Sequence, residues 1–346
     1  SYLYQMEQSF LKFELDIFQH FFNQQIFKRE QTHLLVSPYS IGICLSYISN
    51  LVNSDQTRHE IRRALHCDDE TQFSQFMEQI KSLESSVENE YNKDILKTAN
   101  ILFTDIPSTE LSEHEIGHLP DIVNFSIMCS TSSMINRTVK NRTSGRISRL
   151  TNPLINHSRS SFVMSSISLF ECEWPDRFKS LLTIANHTFH GFGSSMAVPM
   201  LQLNSEPILF SCDKTCYAID LPFSKEDFSF FAIMPKKKSQ KSFQKMINSL
   251  NQEKFSFLLN STKRTEIDLI IPKFSIETDP FNLITLMDDI GINHNFVFAS
   301  ERHMSQLCQK CSFSLNEFGS IPFDQLDSSE SNLRSKERKI KSGKYS

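Results

Sequence analysis

The chain has 346 residues, 39% of them apolar and 22% charged, with a net charge of −4. This length holds one large domain or two ordinary ones, and the composition is globular rather than disordered. The acidic balance argues against a general nucleic-acid binder, and no apolar run approaches the ~20 residues of a membrane span.

Within Glu7–Gln25 the spacing of Phe10, Phe13, Leu15, Phe18, Phe21 and Phe22 predicts an amphipathic helix. "HLLVSPYS" predicts a short apolar strand and then a helix, with Ser37 as its cap and Pro38 at its start. "IGICLSYISNLV" is apolar nearly all round and predicts a buried helix. "DQTRHEIRRALH" predicts a second amphipathic one, with Ile61 and Leu65 on one face. "DILKTANILFTD" reads as a turn into a strand, and "MINRTVKNRTSGRISRL" as a helix broken at Gly145. "SSFVMSSISLFECEW" predicts a long strand carrying Phe162, Met164, Ile167 and Leu169. "CYAIDLPFSKEDFSFFAIMPK" predicts a hairpin turning at Ser224–Asp227. "IDLIIPKFSIE" predicts another strand, followed by a helix "PFNLITLMDDIG" that stops at Gly291. Helices fill the first half and strands the second, which is an α+β pattern rather than alternating βαβ. Near the end, Phe313 and Leu315 alternate with polar residues, the alternation stops at Glu317-Phe318-Gly319, and a polar, then basic, stretch comes after it.

Chemistry-bearing motifs are few. There is no GxGxxG, GxxxxGK, GxSxG or HExxH, so no phosphate cradle, hydrolase elbow or zincin helix, and the motifs imply no enzyme. Eight cysteines (44, 67, 129, 172, 212, 216, 308 and 311) are irregularly spaced, which is not a disulfide scaffold. Cys308 and Cys311 form a CxxC without a second pair, and read as ordinary thiols. His187 and His190 read as surface histidines, Asp68-Asp69 and Asp288-Asp289 as solvated helix ends, and Lys236-Lys237-Lys238 as a charged hairpin edge. Six N-x-S/T sequons, at Asn124, Asn136, Asn141, Asn156, Asn186 and Asn260, favour a secreted glycoprotein over a cytoplasmic protein.

The order of motifs resembles the serpin family over about residues 5–320. "LLVSPYSIGICLSYISN" followed by "TRHEIRRAL", then "LKTANILF", "INRTVKNRTSGRI" (Thr138 standing where the family has tryptophan), "FVMSSISLFECEWPDRF", "AVPMLQ", "AIDLPFSKEDFSFFAIMPK" and "LIIPKFSIETDPFNLITLMDDIGI" are similar to its signatures in the right sequence. The resemblance implies an α+β fold, with helices packed on a large mixed main sheet and further smaller sheets. It implies a serpin-like domain over 1–320 and a divergent, charged, reactive-loop-like tail over 321–346. It further implies a serine-type endopeptidase inhibitor acting as a suicide substrate: a protease cleaves the exposed loop, and the freed loop inserts as a new strand in the main sheet. The implied partner is a serine protease, and the Arg334-Ser335 bond suits a trypsin-like one. The implied protein is a monomer and uses no cofactor or metal. "SLNEFGS" resembles the hinge that precedes the loop, and Trp174, Lys273 and Glu317 match the polar cluster at the top of the sheet. Counting from Gly319, the reactive-bond candidates are Leu333, Arg334 and Ser335.

Three departures from the pattern matter. After the hinge the family has small residues, whereas here Ser320-Ile321-Pro322-Phe323-Asp324 comes after Glu317 and Gly319. Inserted with alternate residues inward, Pro322 would lack a ladder donor and Asp324 would be a buried acid. In the shutter beneath the sheet, Ser37 and Ser40 match, but Ser166 stands at the asparagine position and Gln309 at the histidine position. Finally, the 27 residues after Gly319 (346 minus 319) contain no recognisable pair of Pro-Phe-rich strands. The alternatives to an inhibitor are therefore a non-inhibitory binding or carrier protein of this fold, or a truncated product.

Overall fold

A computed structural model describes residues 2–27, 33–52, 54–67, 69–88, 95–104, 128–143, 145–147, 149–150, 160–175, 182–191, 195–225, 228–293, 297–298 and 302–321. The chain divides by internal packing into two compact units. The first is Ser1–Leu169, Leu250–Gln252 and Glu277–Cys311; the second is Phe170–Ser249, Glu253–Ile276 and the chain from Ser312 on.

In the first unit, helix α1 (Tyr2–Phe21) repeats Phe13, Ile17 and Phe21 at four-residue spacing, buries that stripe, and runs on into a π-helical stretch over Phe22–Phe27. Helix α2 (Pro38–Leu51) starts on Pro38, whose missing N–H is no loss in the first turn, and is capped by the Ser37 hydroxyl accepting from the Ser40 N–H at 3.4 Å. Every residue from Ser40 to Ser49 is buried, as its all-round apolar character requires. Leu34–Val36 forms no strand. Leu34 and Val36 instead lie partly buried against the helical core, so packing rather than ladder pairing uses their apolar character. Helix α3 (Asp55–Ala64) is capped by Ser54 and buries Ile61. Helix α4 (Glu70–Glu88) is absent from the sequence reading, although its buried Phe73, Phe76 and Ile80 keep helical spacing. Helix α5 (Met128–Arg142) ends before Gly145, which takes φ +83°.

Strands β1 (Leu96–Thr104) and β2 (Ser160–Phe170) belong to a six-stranded main sheet. Residues 163–169 of β2 are buried on both sides. Met164 joins the core of α1, α2 and α4, while Val163 and Ile167 join Ile135 and Val139 of α5, so the two-residue strand period sends neighbours into different clusters. The second unit begins with β3 (Cys172–Glu173). Its five-stranded sheet comprises β4 (Leu182–His190), β5 (Ser195–Cys212), β6 (Cys216–Pro222) and β7 (Ser229–Pro235), with β4 and β6 on successive stretches of one edge of β5 and β8 (Lys263–Pro272) along its other edge. All of its pairs are antiparallel. Helices α6 (Gln240–Asn248) and α7 (Gln252–Asn260) connect β7 to β8.

The main sheet is completed by β9 (Phe274–Glu277), β10 (Phe281–Asn282), β11 (Val297–Phe298) and β12 (Arg302–Leu315). Helix α8 (Ile284–Asp289) lies between β10 and β11 in sequence, with Gly291 at φ +81° just beyond it. The path of the sheet is β1-β2-β12-β10, with β9 and β11 also pairing β12. β2 and β12 are thus direct neighbours, and the centre of the sheet is closed. A last strand, β13 (Gly319–Ser320), pairs with β3. The architecture is α+β: helices, a main sheet and further sheets.

Candidate functional site

Beyond β12 the chain makes a tight turn. The Asn316 N–H donates to the Gly319 carbonyl at 2.9 Å and the Gly319 N–H donates back at 3.2 Å. Gly319 then pairs with Glu173 and Ser320 with Cys172, antiparallel. Only glycine fits here. Its φ is +136°, and a Cβ would stand 2.1 Å from the Cys172 carbonyl oxygen. Ser320 is fully buried, its hydroxyl donating to the Phe170 carbonyl at 2.9 Å.

Trp174 and Lys273 grip different parts of this turn. The Trp174 N–H donates to the Phe318 carbonyl at 2.8 Å, and its indole Nε1 donates to the Asn316 carbonyl at 2.9 Å. The ring stacks on Phe223, centroids 4.5 Å apart and planes 9° from parallel. Lys273 Nζ donates to both carboxylate oxygens of Glu317 at 2.8 Å, and the Thr183 hydroxyl donates to Oε1. Partial burial by itself pushes the Glu317 carboxyl up. The hydrogen bonds from Lys273, Thr183 and the main chain, with the Lys273 charge, outweigh it and hold the group below its usual range.

Asn316 escaped the sequence reading as a site residue. It is fully buried, its Oδ1 accepts from the Phe318 N–H at 2.9 Å, and its Nδ2 donates to the Ile321 carbonyl at 2.5 Å. Thr183 escaped as well. The only sequence signal for Asn316 was its place in "SLNEFGS"; nothing local marks Thr183 as a partner 134 residues away.

In the first unit Ser37, Ser40, Ser166 and Gln309, expected from the sequence to form a shutter, belong to a second polar network. The Gln309 amide closes a ring on the main chain of Ser37: Oε1 accepts from the Ser37 N–H at 3.1 Å and Nε2 donates to the Ser37 carbonyl at 2.9 Å. The same Nε2 lies 3.4 Å from Ser166 Oγ. Ser37 Oγ lies 3.1 Å from Ser40 Oγ, which lies 2.5 Å from Ser168 Oγ. Ser168, two positions along β2 from Ser166, shares its side of the strand and was missed by the sequence reading. The start of α2 is thereby tied to both central strands.

The remaining expected residues fall elsewhere. Pro322, Asp324, Leu333, Arg334, Ser335, Asn124 and Asn156 lie outside the described residues. Asn141 and Asn260 are exposed. Asn136 is partly buried and accepts from the Leu150 N–H at 2.8 Å, and Asn186 lies in β4. Cys308 and Cys311 are buried, and that burial pushes their thiols up to about 11 and about 12, so they are inert core groups. His187 and His190 are exposed, and among the described residues no cluster of His, Cys, Asp and Glu could hold a metal. What the site offers is mechanical: it docks a turn of backbone at a sheet end.

A family model described as "Serpin (serine protease inhibitor)" matches residues 8–321. The chain is 24% identical over 321 residues to glia-derived nexin of Mus musculus, covering 86% of this chain and 79% of that protein. It is likewise 24% identical over 303 residues to serine proteinase inhibitor 1 of Vaccinia virus (strain Western Reserve), covering 84% and 80%. Its fold is similar to that of a tumour-suppressing serpin, at a TM-score of 0.75 and 19% identity, over 91% of this chain and 90% of that one. Native protease nexin-1 solved with heparin gives a TM-score of 0.72 at 20% identity, over 90% and 89%.

Proposed function

The chain belongs to the serpin family, a family of serine protease inhibitors, and we propose that it engages a serine protease through the segment beyond Ser320. In this reading the protease attacks the Arg334–Ser335 bond or the neighbouring Leu333–Arg334 bond, forms an acyl-enzyme, and frees a loop whose insertion point is the join between β2 and β12. The observation that carries it is the docked hinge: Gly319 and Ser320 already run as a strand beside β3, with Trp174 and Lys273 holding the turn before them. Insertion would extend that strand, and it would have to part β2 from β12 against the Gln309–Ser37–Ser166 network.

The buried Ser320 also sets the parity of the residues beyond it. By strand alternation Pro322 and Asp324 would take the same inward side. Pro322 would leave a carbonyl without its ladder donor, and an unpaired buried Asp324 would cost on the order of several kcal/mol. Each ~1.4 kcal/mol added to the insertion barrier slows insertion about tenfold, and trapping succeeds only when insertion outruns deacylation. We therefore infer that hydrolysis of the acyl-enzyme wins, so that the chain is cut as a substrate more readily than it traps. The second reading, a non-inhibitory binding protein, rests on the same two residues.

The test is incubation with trypsin, followed by denaturing gel and intact mass. The expected result is cleavage in the tail near Arg334 without a detergent-stable adduct. A stable adduct of summed mass restores the full inhibitor, and resistance of the tail to cleavage removes protease engagement altogether. Pro322→Ala combined with Asp324→Ala is expected to create an adduct. For localisation, we propose a secreted protein glycosylated at the exposed Asn141 and Asn260; a secreted product whose mass does not change on deglycosylation would contradict that.

A further inference from the structure

One side of the five-stranded sheet is assigned a different task by its residues. Strand partners that stand directly opposite share a side of the sheet. Cys212 opposes Tyr217, which opposes Met234, and Phe210 opposes both Ile219 and Lys263. Phe210 and Cys212, two apart in β5, share that side. The other side is covered by helix α7, through the Ser211 hydroxyl on the Leu258 carbonyl at 2.6 Å and Phe231 against Phe255 at 5.3 Å. The first side is open at the end where β5 turns into β6: Met234 is 59% and Tyr217 38% exposed, and Cys212 is exposed too.

Cations frame this apolar area. The Lys236 ammonium sits 5.0 Å from the centre of the Tyr217 ring, and the Lys236 N–H donates to the Thr215 carbonyl at 2.9 Å. Lys263 flanks Phe210 at the far side, while Lys214, Lys237 and Lys238 are exposed in the turns at this end. Asp213, in the turn between β5 and β6, is spent internally: it accepts from the Thr215 and Cys216 N–H groups and pairs with Lys254 at 3.3 Å. Glu266 opposes Pro207 and Asp268 binds the Ser205 N–H, so neither faces the patch; Glu206 shares the side of Phe210 but stands four residues back along β5, roughly 13 Å from it.

We propose that this patch is a peripheral docking surface for anionic phospholipid bilayers. Charge complementarity selects an anionic partner, and the net charge of −4 means that the rest of the chain is repelled from it, which fixes an orientation. The exposed Met234 and Tyr217 select a partner with an apolar phase beneath its charged surface, where an aromatic body and a thioether can settle at headgroup depth. Single-stranded nucleic acid fits less well, because the Tyr217 ring already carries Lys236 and is tilted 35° to Phe210 at 5.9 Å.

The test is co-sedimentation of the full chain with phosphatidylserine–phosphatidylcholine vesicles and with phosphatidylcholine vesicles. Binding is expected to the first and not to the second, and to weaken with salt. Lys236→Gln with Lys263→Gln is expected to weaken it about thirtyfold, from roughly fivefold per lysine lost at an anionic surface. Met234→Ser with Tyr217→Ser, which keeps every charge, is expected to weaken it at least about tenfold. Unchanged Trp174 emission and melting temperature show that the variants are folded. Equal binding to both vesicles, no binding to either, or a serine double variant that binds like the parent overturns the proposal. So does dextran sulfate bound as tightly as the vesicles, which would make this a soluble-polyanion site.

Discussion

Replacing Gly319 by alanine tests whether the docked turn beside β3 is the resting state. The new Cβ would lie 2.1 Å from the Cys172 carbonyl oxygen and 2.8 Å from the Glu173 Cα, whereas ordinary contact begins at 3.4 Å. β13 must therefore retreat by about 1.3 Å, the difference between 3.4 and 2.1 Å. A retreat of that size breaks the bonds of Trp174 N–H to Phe318, Asn316 N–H to Gly319 and Ser320 Oγ to Phe170, which now measure 2.8, 2.9 and 2.9 Å. At roughly 1 kcal/mol net per bond, the docked turn loses about 3 kcal/mol, or roughly 150-fold in its opening equilibrium. The assay is native-state hydrogen exchange at the Trp174, Asn316 and Gly319 amides. Protection should fall by about two orders of magnitude there, while the amides of α2 keep theirs. Unchanged protection at Trp174 in the variant would refute the steric argument, and with it the docked geometry.

The same geometry sets further outcomes. Gln309→Leu should lower stability by about 1–3 kcal/mol, read as an earlier denaturant midpoint, because it strands the Ser37 N–H that the amide now satisfies, while the Ser37 carbonyl keeps the Ile41 N–H at 3.3 Å. Glu317→Gln should destabilise the hinge at neutral pH, and the gap to the parent should close only in acid. A carboxyl held below its usual range contributes fully above the ordinary carboxylate pKa, and that contribution is lost as pH falls through the lowered value; a gap independent of pH down to acid unfolding would contradict the pairing. Phe223→Ala should move the emission of Trp174, the sole tryptophan, to longer wavelength by removing its stacking partner; an unmoved spectrum counts against the stack. Among the described cysteines a disulfide reagent at pH 8 should modify Cys212 first. Cys308, pushed up to about 11, is only about one thousandth thiolate there, and its modification in the folded protein at a comparable rate would disprove its burial.

Much of the architecture is legible in the sequence where one residue class repeats with one period. The α2 segment that is apolar nearly all round, the Ser37–Pro38 start and the alternation of β12 are of that kind. Leu34–Val36 shows the limit: three apolar residues before a helix say that burial is needed, and packing against a helical core meets that need as well as a strand would. Lys273 and Glu317 could be matched by motif order. The partners that complete their site could not, because Thr183 and Asn316 act through a tertiary turn whose geometry no local pattern records. Ser168 lay within reach of the strand period, yet which serine of β2 meets Ser40 depends on how α2 seats on the sheet.

The ring that Gln309 closes on Ser37 spans 272 residues of sequence, and its reach to Ser166 spans 143. Contacts of such separation give the main sheet a high contact order, and high contact order means slow folding. During synthesis, at about 5–20 residues per second, roughly 15–55 s pass between the emergence of Ser37 and that of Gln309. For that interval α2, and for its second half β2 as well, exists without the strand that closes it, and the apolar faces are open to chaperones and to other chains. A nascent chain stalled before Gln309 should therefore be captured by chaperones, and one stalled well beyond Leu315 should be released. Equal capture at both lengths would show that the sheet does not wait for its last central strand.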